Sequence, residues 1–231
     1  MTGEQERPGE THRGAHGGDR TGPGPAPCGE SPDVPEPARL AAIMARIDRP
    51  VVLVGMMGVG KSSLGRKLAT QLAAPFIDAD DAIETSARMT IPEIFATYGE
   101  SFFRDGERRV IARLMGDGAP GEPRVKVIAT GGGAFVNEAT RALILRRGIA
   151  VWLDADLDTL VERTARKGNR PLLQNGNPRE ILGRLKTERA PFYAQAPIHV
   201  MSGNTPHART LTRMLGAIDL WLDRPPETPN V

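Results

Sequence analysis

The sequence of 231 residues is poor in cysteine, aromatic side chains and long apolar runs, and each shortage narrows what it can encode. The one cysteine, Cys28, rules out an internal disulfide and fits a reducing cytoplasm. No apolar run approaches the roughly 20 residues of a membrane helix, and the first ten residues lack the apolar core of a secretory signal. Because aromatic residues make up 4% of the chain, the core must consist mainly of Val, Ile, Leu and Ala.

The charge balance also excludes a class of partner. The formal net charge is +2 at pH 7, which is too small to favour binding to nucleic acid. The length suits one ordinary domain with a full core. We therefore expect neither a nucleic acid nor a membrane as partner, and we expect a cytoplasmic monomer.

The composition changes sharply near position 36 and divides the chain. Residues 1–36 are rich in Gly, Pro, Glu, Arg and Thr, and they contain almost no large apolar side chains. Such a segment buries too little surface to offset the entropy of ordering, so we predict a disordered extension. An interaction tail or a targeting segment is the alternative. We predict one folded domain over residues 37–224 and a loose tail over residues 225–231.

From residue 50 onward, short apolar runs alternate with stretches of helical periodicity. The predicted strands are Val51–Val54, Pro75–Asp78, Val125–Thr130, Ala150–Leu153 and Ile198–Met201. The predicted helices, preceded by a short one at Pro37–Ile47, are Ser63–Leu72, Asp81–Arg88, Gly99–Met115, Glu138–Arg147, Leu157–Lys167, Pro178–Arg189 and Pro206–Leu222. Continuous apolar strands are typical of a sheet buried on both faces. The alternation predicts an α/β fold with a parallel sheet and right-handed crossovers.

The most specific motif is a glycine loop between the first strand and the following helix. Residues Gly55–Ser62 fit the pattern of a glycine, four residues, and then Gly-Lys-Ser. Backbone N–H groups of such a loop converge on phosphate oxygens at the positive end of a helix. Lys61 then reaches the β- and γ-phosphates, and Ser62 offers a hydroxyl to Mg²⁺. The motif therefore predicts a nucleoside triphosphate site.

Two aspartates follow the second strand, where ligands of a parallel sheet bind. If the strand persists through Asp80, the side chains of Asp78 and Asp80 point to the same side. One carboxylate would then hold the metal through water, and the other would accept a substrate hydroxyl proton. The alternative is that one of them caps the next helix. Asp81 is expected at the start of that helix.

Two further segments carry candidate substrate contacts. Gly131–Gly133 ends the third strand and allows close backbone approach to a ligand, although a plain strand-to-helix turn is the alternative. Arg104 and Glu107 share a helix face, where they are either a solvated ion pair or an arginine that grips a carboxylate with a glutamate holding it.

Two arginines remain as candidates on the carboxyl-terminal side. Arg170 lies in a polar loop within a predicted lid of about residues 167–178, from which it can swing onto the phosphates. The alternative is that this loop is only a connector. Arg189 ends a predicted helix, and its alternative role is to complement the helix dipole.

Taken together, these motifs resemble the shikimate kinase family over about residues 45–222. The matching segments are Gly55–Ser62, Asp78–Asp80, Phe103–Glu107, Gly131–Gly133, Arg170–Leu173 and Arg189–Tyr193, in this order and spacing. The resemblance implies a nucleoside-monophosphate-kinase-like fold, with three αβα layers and a five-stranded parallel sheet in the order 2-3-1-4-5. It also implies transfer of the ATP γ-phosphate to the 3-hydroxyl of shikimate, a step of chorismate and aromatic amino acid biosynthesis.

The resemblance also implies a role for each matched residue. Lys61, Asp80 and Arg170 would be catalytic, with Mg²⁺ bound directly by Ser62 and through water by Asp78. The residues implied to bind ATP are Gly58, Val59, Gly60, Lys61, Ser62, Ser63, Arg163, Arg170 and Pro206. The residues implied to bind shikimate, from a substrate-binding segment of about residues 79–115 and beyond, are Asp80, Arg104, Glu107, Gly131, Gly132, Gly133 and Arg189.

Two rival interpretations remain. A gluconate-type kinase on the same fold would not need two arginines for a carboxylate beside Asp80. An inactive, kinase-like binding module would be favoured by loss of Lys61, Asp80, Arg104 or Arg170, and the sequence keeps all four.

Overall fold

The computed structural model describes residues 36–116, 123–165, 176–203 and 205–224. The described strands are β1 (Val51–Val54), β2 (Phe76–Asp78), β3 (Val127–Ala129), β4 (Ile149–Asp154) and β5 (Ile198–Met201). The described helices are α1 (Pro37–Arg46), α2 (Lys61–Gln71), α3 (Ala79–Ala87), α4 (Ile91–Leu114), α5 (Glu138–Arg147), α6 (Leu157–Ala165), α7 (Pro178–Tyr193) and α8 (His207–Leu222). A short 3₁₀ helix spans Ala134–Val136.

The strands form one parallel sheet in the order β2-β3-β1-β4-β5, as the family resemblance implies. β1 lies in the centre, where Val51 pairs with Val127 of β3 and with Ile149 of β4. All four side chains of β1 are fully buried, because helices cover both faces of the sheet. The predicted α/β architecture is confirmed, and the carboxyl ends of all five strands share one edge.

The helix α4 begins earlier than its periodicity predicts. The periodicity predicts a start at Gly99, whereas the helix begins at Ile91. Thr90 and Glu93 form a reciprocal capping box there, and a proline occupies the first turn. Gly99 has φ of 81° and breaks the helical geometry, so the predicted helix is the second of two joined segments.

The helix α7 continues past its predicted end at Arg189. It includes Pro191 and ends at Tyr193. A proline removes the hydrogen bond that its own nitrogen would donate, and its ring crowds the carbonyl group of the preceding turn; here both effects fall in the last turn of the helix. Arg189 consequently lies before the last turn, and its alternative role as a charge at the helix end is wrong.

Two apolar clusters hold the described residues together. The main cluster fills both sides of the sheet, and a smaller one between α3 and α4 contains Ile83, Ile94, Phe103 and Val110. Among the described helices, none combines the length and the apolar character required to cross a bilayer.

Candidate active site

An open cavity of about 320 Å³ lies at the carboxyl edge of the sheet. Residues from five predicted segments line it: the phosphate loop with the start of α2, the end of β2 with the start of α3, the end of β3, the helix α6 and the start of α8. The lining residues are Met57, Gly58, Gly60, Lys61, Ser62, Ser63, Asp78, Asp80, Thr130, Gly132, Arg163 and His207. The structure therefore brings together candidates from segments that are far apart in the chain.

The phosphate loop has a backbone that suits glycine at three positions. Gly55, Gly58 and Gly60 have φ of 133°, 85° and 96°, in the region that other residues rarely adopt. Gly60 caps α2, which begins at Lys61 and so presents its amino-terminal N–H groups at the cavity. Lys61 Nζ donates to the carbonyl oxygens of Gly55 and Met56, at 2.8 and 2.9 Å. These bonds hold the ammonium group within the phosphate loop, where a phosphate group would bind.

Asp78 connects the phosphate loop to α3. Its Oδ2 accepts a hydrogen bond from Ser62 Oγ at 2.6 Å, and its Oδ1 accepts one from the backbone N–H of Asp80 at 3.1 Å. The strand does not persist through Asp80, because α3 begins at Ala79 with Asp78 as its cap. The capping alternative is thus correct for Asp78, and Asp80 and Asp81 lie in the first turn of α3.

The hydroxyl of Ser62 and the carboxylate of Asp78 are hard oxygen donors, which is the ligand type that Mg²⁺ prefers. No group of three or more metal-ligating side chains occurs within the described parts of the chain. Magnesium commonly takes most of its ligands from water and from substrate phosphates, so a pair of this kind fits the ion.

The glycine run is explained by space rather than by backbone conformation. A Cβ at Gly131 would lie 2.6 Å from Glu107 Oε1 and 2.9 Å from Asp80 Oδ1. A Cβ at Gly133 would lie 2.5 Å from Arg104 Nη1. Any side chain at either position would therefore displace a candidate substrate contact. The run is more than a plain turn, because two carboxylates and an arginine approach its backbone.

Arg104 is fixed by two glutamates. Its Nη1 donates to Glu107 Oε2 at 2.8 Å, and its Nη2 donates to Glu100 Oε1 at 3.0 Å. The Glu107 side chain is only 3% exposed, so the alternative of a solvated ion pair is wrong. Burial raises the pKa of Glu107, although the nearby Arg104 and Arg189 act in the opposite direction. Glu107 Oε1 is buried without a hydrogen-bond partner among the described residues.

We expect Glu107 to make the stability of the protein depend on pH. The folded protein binds the Glu107 proton more tightly than the unfolded chain does, because its pKa is raised. The stabilising contribution is therefore complete below the ordinary glutamate pKa and is lost as pH rises through the raised pKa. Urea unfolding across this range should show wild type losing stability relative to Glu107→Gln. A constant difference between the two proteins would contradict the shift, and Glu188→Gln, at an exposed position, is the control.

The helix α7 supports the middle of the glycine run. Arg189 Nη1 donates to the carbonyl oxygen of Gly132 at 3.1 Å, and the hydroxyl of Tyr193 donates to the same oxygen. Tyr193 is 1% exposed, and burial raises its pKa to about 12. The site prediction did not include Tyr193, although its position four residues after Arg189 places both side chains on one helix face.

Replacing Tyr193 with phenylalanine should loosen the glycine run without removing a charged group. We expect a loss of about 1 kcal/mol in unfolding free energy, since the carbonyl keeps Arg189 as a second donor. The KM for the acceptor should rise a few-fold while kcat changes less. Denaturant unfolding and steady-state kinetics measure both, with Tyr98→Phe as control because Tyr98 is 53% exposed. If Tyr193→Phe kept the KM and the stability of the wild type, the Tyr193 hydroxyl would not support Gly132.

Arg163 lies at the other end of the cavity. Its guanidinium donates to the carbonyl oxygens of Val59 and Ser202 at 3.3 Å and to that of Gly203 at 2.8 Å. These bonds fix the group between the phosphate loop and the segment after β5. Pro206 caps α8 without lining the cavity, and its neighbour His207 lines it instead.

The predicted site residues did not include three of the lining residues, Met57, Thr130 and His207. Met57 lies within the predicted phosphate loop, Gly55–Ser62. Thr130 had a usable signal, because it is a polar residue at the end of a buried strand. His207 had none, because a histidine at a helix start has no distinctive pattern. Arg170 and most of the predicted lid lie outside the described residues, as do residues 1–35 and 225–231.

Comparisons with known proteins agree on one family. The family model described as "Shikimate kinase" matches residues 57–219. A shikimate kinase of Novosphingobium aromaticivorans is 70% identical over 177 residues, covering 77% of this chain and 91% of the relative. A shikimate kinase of Rhodopseudomonas palustris is 46% identical over 195 residues, covering 84% of this chain and 92% of the relative.

Solved structures give the same result. Shikimate kinase from Acinetobacter baumannii in complex with shikimate has a TM-score of 0.69 and 35% identity, covering 80% of this chain and 98% of that one. Shikimate kinase from Aquifex aeolicus has a TM-score of 0.63 and 30% identity, covering 74% of this chain and 96% of that one.

Proposed function

The chain belongs to the shikimate kinase family, and from that premise we propose that it uses Mg²⁺ and transfers the ATP γ-phosphoryl group to the 3-hydroxyl of shikimate. It is an enzyme that phosphorylates shikimate with ATP as co-substrate, a step of aromatic amino acid biosynthesis. The observation that carries the residue assignment is the convergence of Asp80, Arg104 and Arg189 on Gly131–Gly133, beside the phosphate loop.

The donor half of the site binds and orients the triphosphate. In this proposal the N–H groups at the start of α2 bind the phosphates, and Lys61 Nζ leaves its carbonyl partners for the β- and γ-phosphate oxygens. Arg163 and Pro206 contact the adenine side, and Arg170 approaches from the lid. Ser62 and Asp78 would hold Mg²⁺, which neutralises charge on the phosphate oxygens.

The acceptor half places a hydroxyl in line with the γ-phosphate. Arg104 and Arg189 bind the shikimate carboxylate, with Glu107 holding Arg104 by its 2.8 Å hydrogen bond. Asp80 accepts the hydrogen bond of the attacking hydroxyl and takes its proton as the new O–P bond forms. The bond between the γ-phosphorus and the bridging oxygen of ADP breaks in the same step. Catalysis then depends mainly on positioning and charge neutralisation.

The test is a coupled ADP-release assay with a panel of acceptors. We expect turnover with shikimate, much less with its uncharged methyl ester, and none above background with gluconate. Faster turnover with gluconate than with shikimate would contradict the assignment of shikimate as the acceptor. Equal rates with shikimate and its methyl ester would contradict the proposal that Arg104 and Arg189 bind the shikimate carboxylate. Omitting Mg²⁺ with a chelator should abolish turnover, and activity that survives chelation would overturn the metal assignment.

We also propose that the enzyme works as a monomer in the cytoplasm, where a single cysteine without a possible internal disulfide partner fits the reducing conditions. Sedimentation at working concentration tests the oligomeric state, and a dimer would contradict it.

The segment before α1 is proposed to be dispensable for catalysis. Deleting residues 2–35 keeps Glu36, whose carbonyl oxygen accepts a hydrogen bond from the backbone of Leu40 at the start of α1. We expect kcat, both KM values and the melting temperature to stay close to those of the full chain. A large loss in any of them would show that the extension packs on the folded domain.

A further inference from the structure

A second cavity, of about 450 Å³, lies between α3 and α4 and is separate from the catalytic cavity. Its floor consists of the small apolar cluster of Ile83, Ile94, Phe103 and Val110. Gly106 also lines it, and a Cβ at that position would meet nothing within 4 Å. Sites for small ligands typically have such volumes and a mainly apolar lining with a few polar groups.

Exposed aromatic rings adjoin this cavity. Phe102 lines it and is 47% exposed, and the ring of Tyr98, 53% exposed, stacks on Phe102 with centroids 4.6 Å apart. Large apolar side chains left in water are stabilised when another apolar surface covers them. Their shape and chemistry suit an aromatic ring, which would stack on Phe102 or pack edge-on against it.

The rim carries two guanidinium groups, those of Arg109 and Arg113. Arg109 and Arg113 lie four residues apart on α4, line the cavity, and form no ion pair with a carboxylate of any described residue. Arg113 instead donates to the hydroxyl of Ser86 at 3.1 Å. Like charges at this spacing repel each other, and an anion between them would relieve the repulsion. The planar fork of arginine is matched to a carboxylate.

We propose that this pocket binds a small aromatic carboxylate, with the ring against Phe102 and Phe103 and the carboxylate between Arg109 and Arg113. The two walls of the pocket also carry acceptor contacts, because α3 begins beside Asp80 and α4 carries Arg104 and Glu107. Occupancy therefore alters the affinity for shikimate. This coupling rests on the proposed function, whereas the binding site does not.

Binding is tested by titrating the full chain with 3-phenylpropionate and following the methyl NMR signals of Ile83, Ile94 and Val110 together with the backbone amide signals of Gly131–Gly133. We expect saturable shifts of these signals, and shifts at least several-fold weaker with the uncharged 3-phenylpropanamide. Unshifted methyl signals would overturn the site. Shifts confined to the amides of Gly131–Gly133 would assign the probe to the acceptor site and overturn it equally.

Two variants test the ring and the charge separately. Gly106→Leu should fill the open space and abolish the saturable shifts, and Arg109→Gln with Arg113→Gln should weaken binding about tenfold or more. Arg108→Gln is the matched control, since Arg108 is on the same helix but pairs with Asp105 at 3.8 Å and does not line the cavity. Equal weakening by the control would show a general charge effect and overturn the carboxylate assignment.

Coupling is measured as the Kd for shikimate with and without saturating 3-phenylpropionate. The factor must equal the one by which shikimate changes the Kd of the probe. An unchanged Kd for shikimate would overturn the coupling but not the binding site. Absence of any shikimate binding would instead contradict the proposed function.

Discussion

Replacing Lys61 with methionine should lower kcat by about 10²- to 10³-fold, the usual effect of removing one preorganised group that stabilises transition-state charge. In the structure, Lys61 Nζ lies between the carbonyl oxygens of Gly55 and Met56, inside the phosphate loop. Methionine keeps the length of the apolar stem but offers no positive charge to the transferring phosphoryl group. Single-turnover and steady-state ADP release both measure the loss.

A control separates lost catalysis from a collapsed loop. Arg66→Met removes one positive charge from an exposed position of the same helix, where the guanidinium lies over the Phe76 ring. It should retain activity within about twofold. The Lys61 variant should still bind shikimate, because the acceptor contacts come from α3, α4, α7 and the glycine run. A kcat within tenfold of wild type would contradict the assigned role.

The second large effect is expected at Arg104. Arg104→Ala should raise the KM for shikimate about 10- to 100-fold, since a hydrogen bond to a charged group contributes about 1.5–3 kcal/mol. The KM for ATP should stay within about twofold, because Arg104 is absent from the lining of the phosphate-loop cavity. Arg104→Lys keeps the charge without the planar fork and should give an intermediate KM.

The Arg104 variants also change stability, which must be measured separately. Removing the guanidinium leaves Glu107 buried beside Gly131 without its cation, and a buried unpaired charge destabilises a fold strongly. Kinetics should therefore be recorded well below each melting temperature, with Arg108→Ala as the exposed control on the same helix. A lower melting temperature with an unchanged KM for shikimate would show that Arg104 supports the fold and does not bind the acceptor.

The sequence predicted the fold and the position of the phosphate loop at the cavity, because both depend on local patterns. Buried parallel strands appear as short apolar runs, and the phosphate loop needs glycines and a lysine at fixed spacing. Its errors occurred where a local signal was ambiguous. A strand that persists through Asp80 and a helix capped by an aspartate were both open, and Asp80 lies in the first turn of α3, since the aspartate that ends a strand can equally cap the next helix. The capping box of Thr90 and Glu93 marks the earlier start of α4, which helical periodicity alone does not show.

The acceptor half was predicted by resemblance, and its physical basis appears only in three dimensions. The sequence indicated that Gly131–Gly133 approaches a ligand, but the reason lies in Glu107, Asp80 and Arg104, whose side chains occupy the space that a Cβ would take. An ion pair of Arg104 and Glu107 looks the same in sequence whether it is solvated or buried. Its burial depends on helix packing that no local pattern encodes.

The sequence by itself determined an α/β kinase fold and a triphosphate site, because backbone periodicity and loop conformation are set by neighbouring residues. Only the tertiary structure decided the rest: the hydrogen bond between Tyr193 and Gly132, 61 positions apart, the burial of Glu107, and the second cavity between α3 and α4. Each depends on contacts between segments that are distant in the chain. Such contacts determine desolvation and the space around each side chain, and these in turn set pKa and specificity.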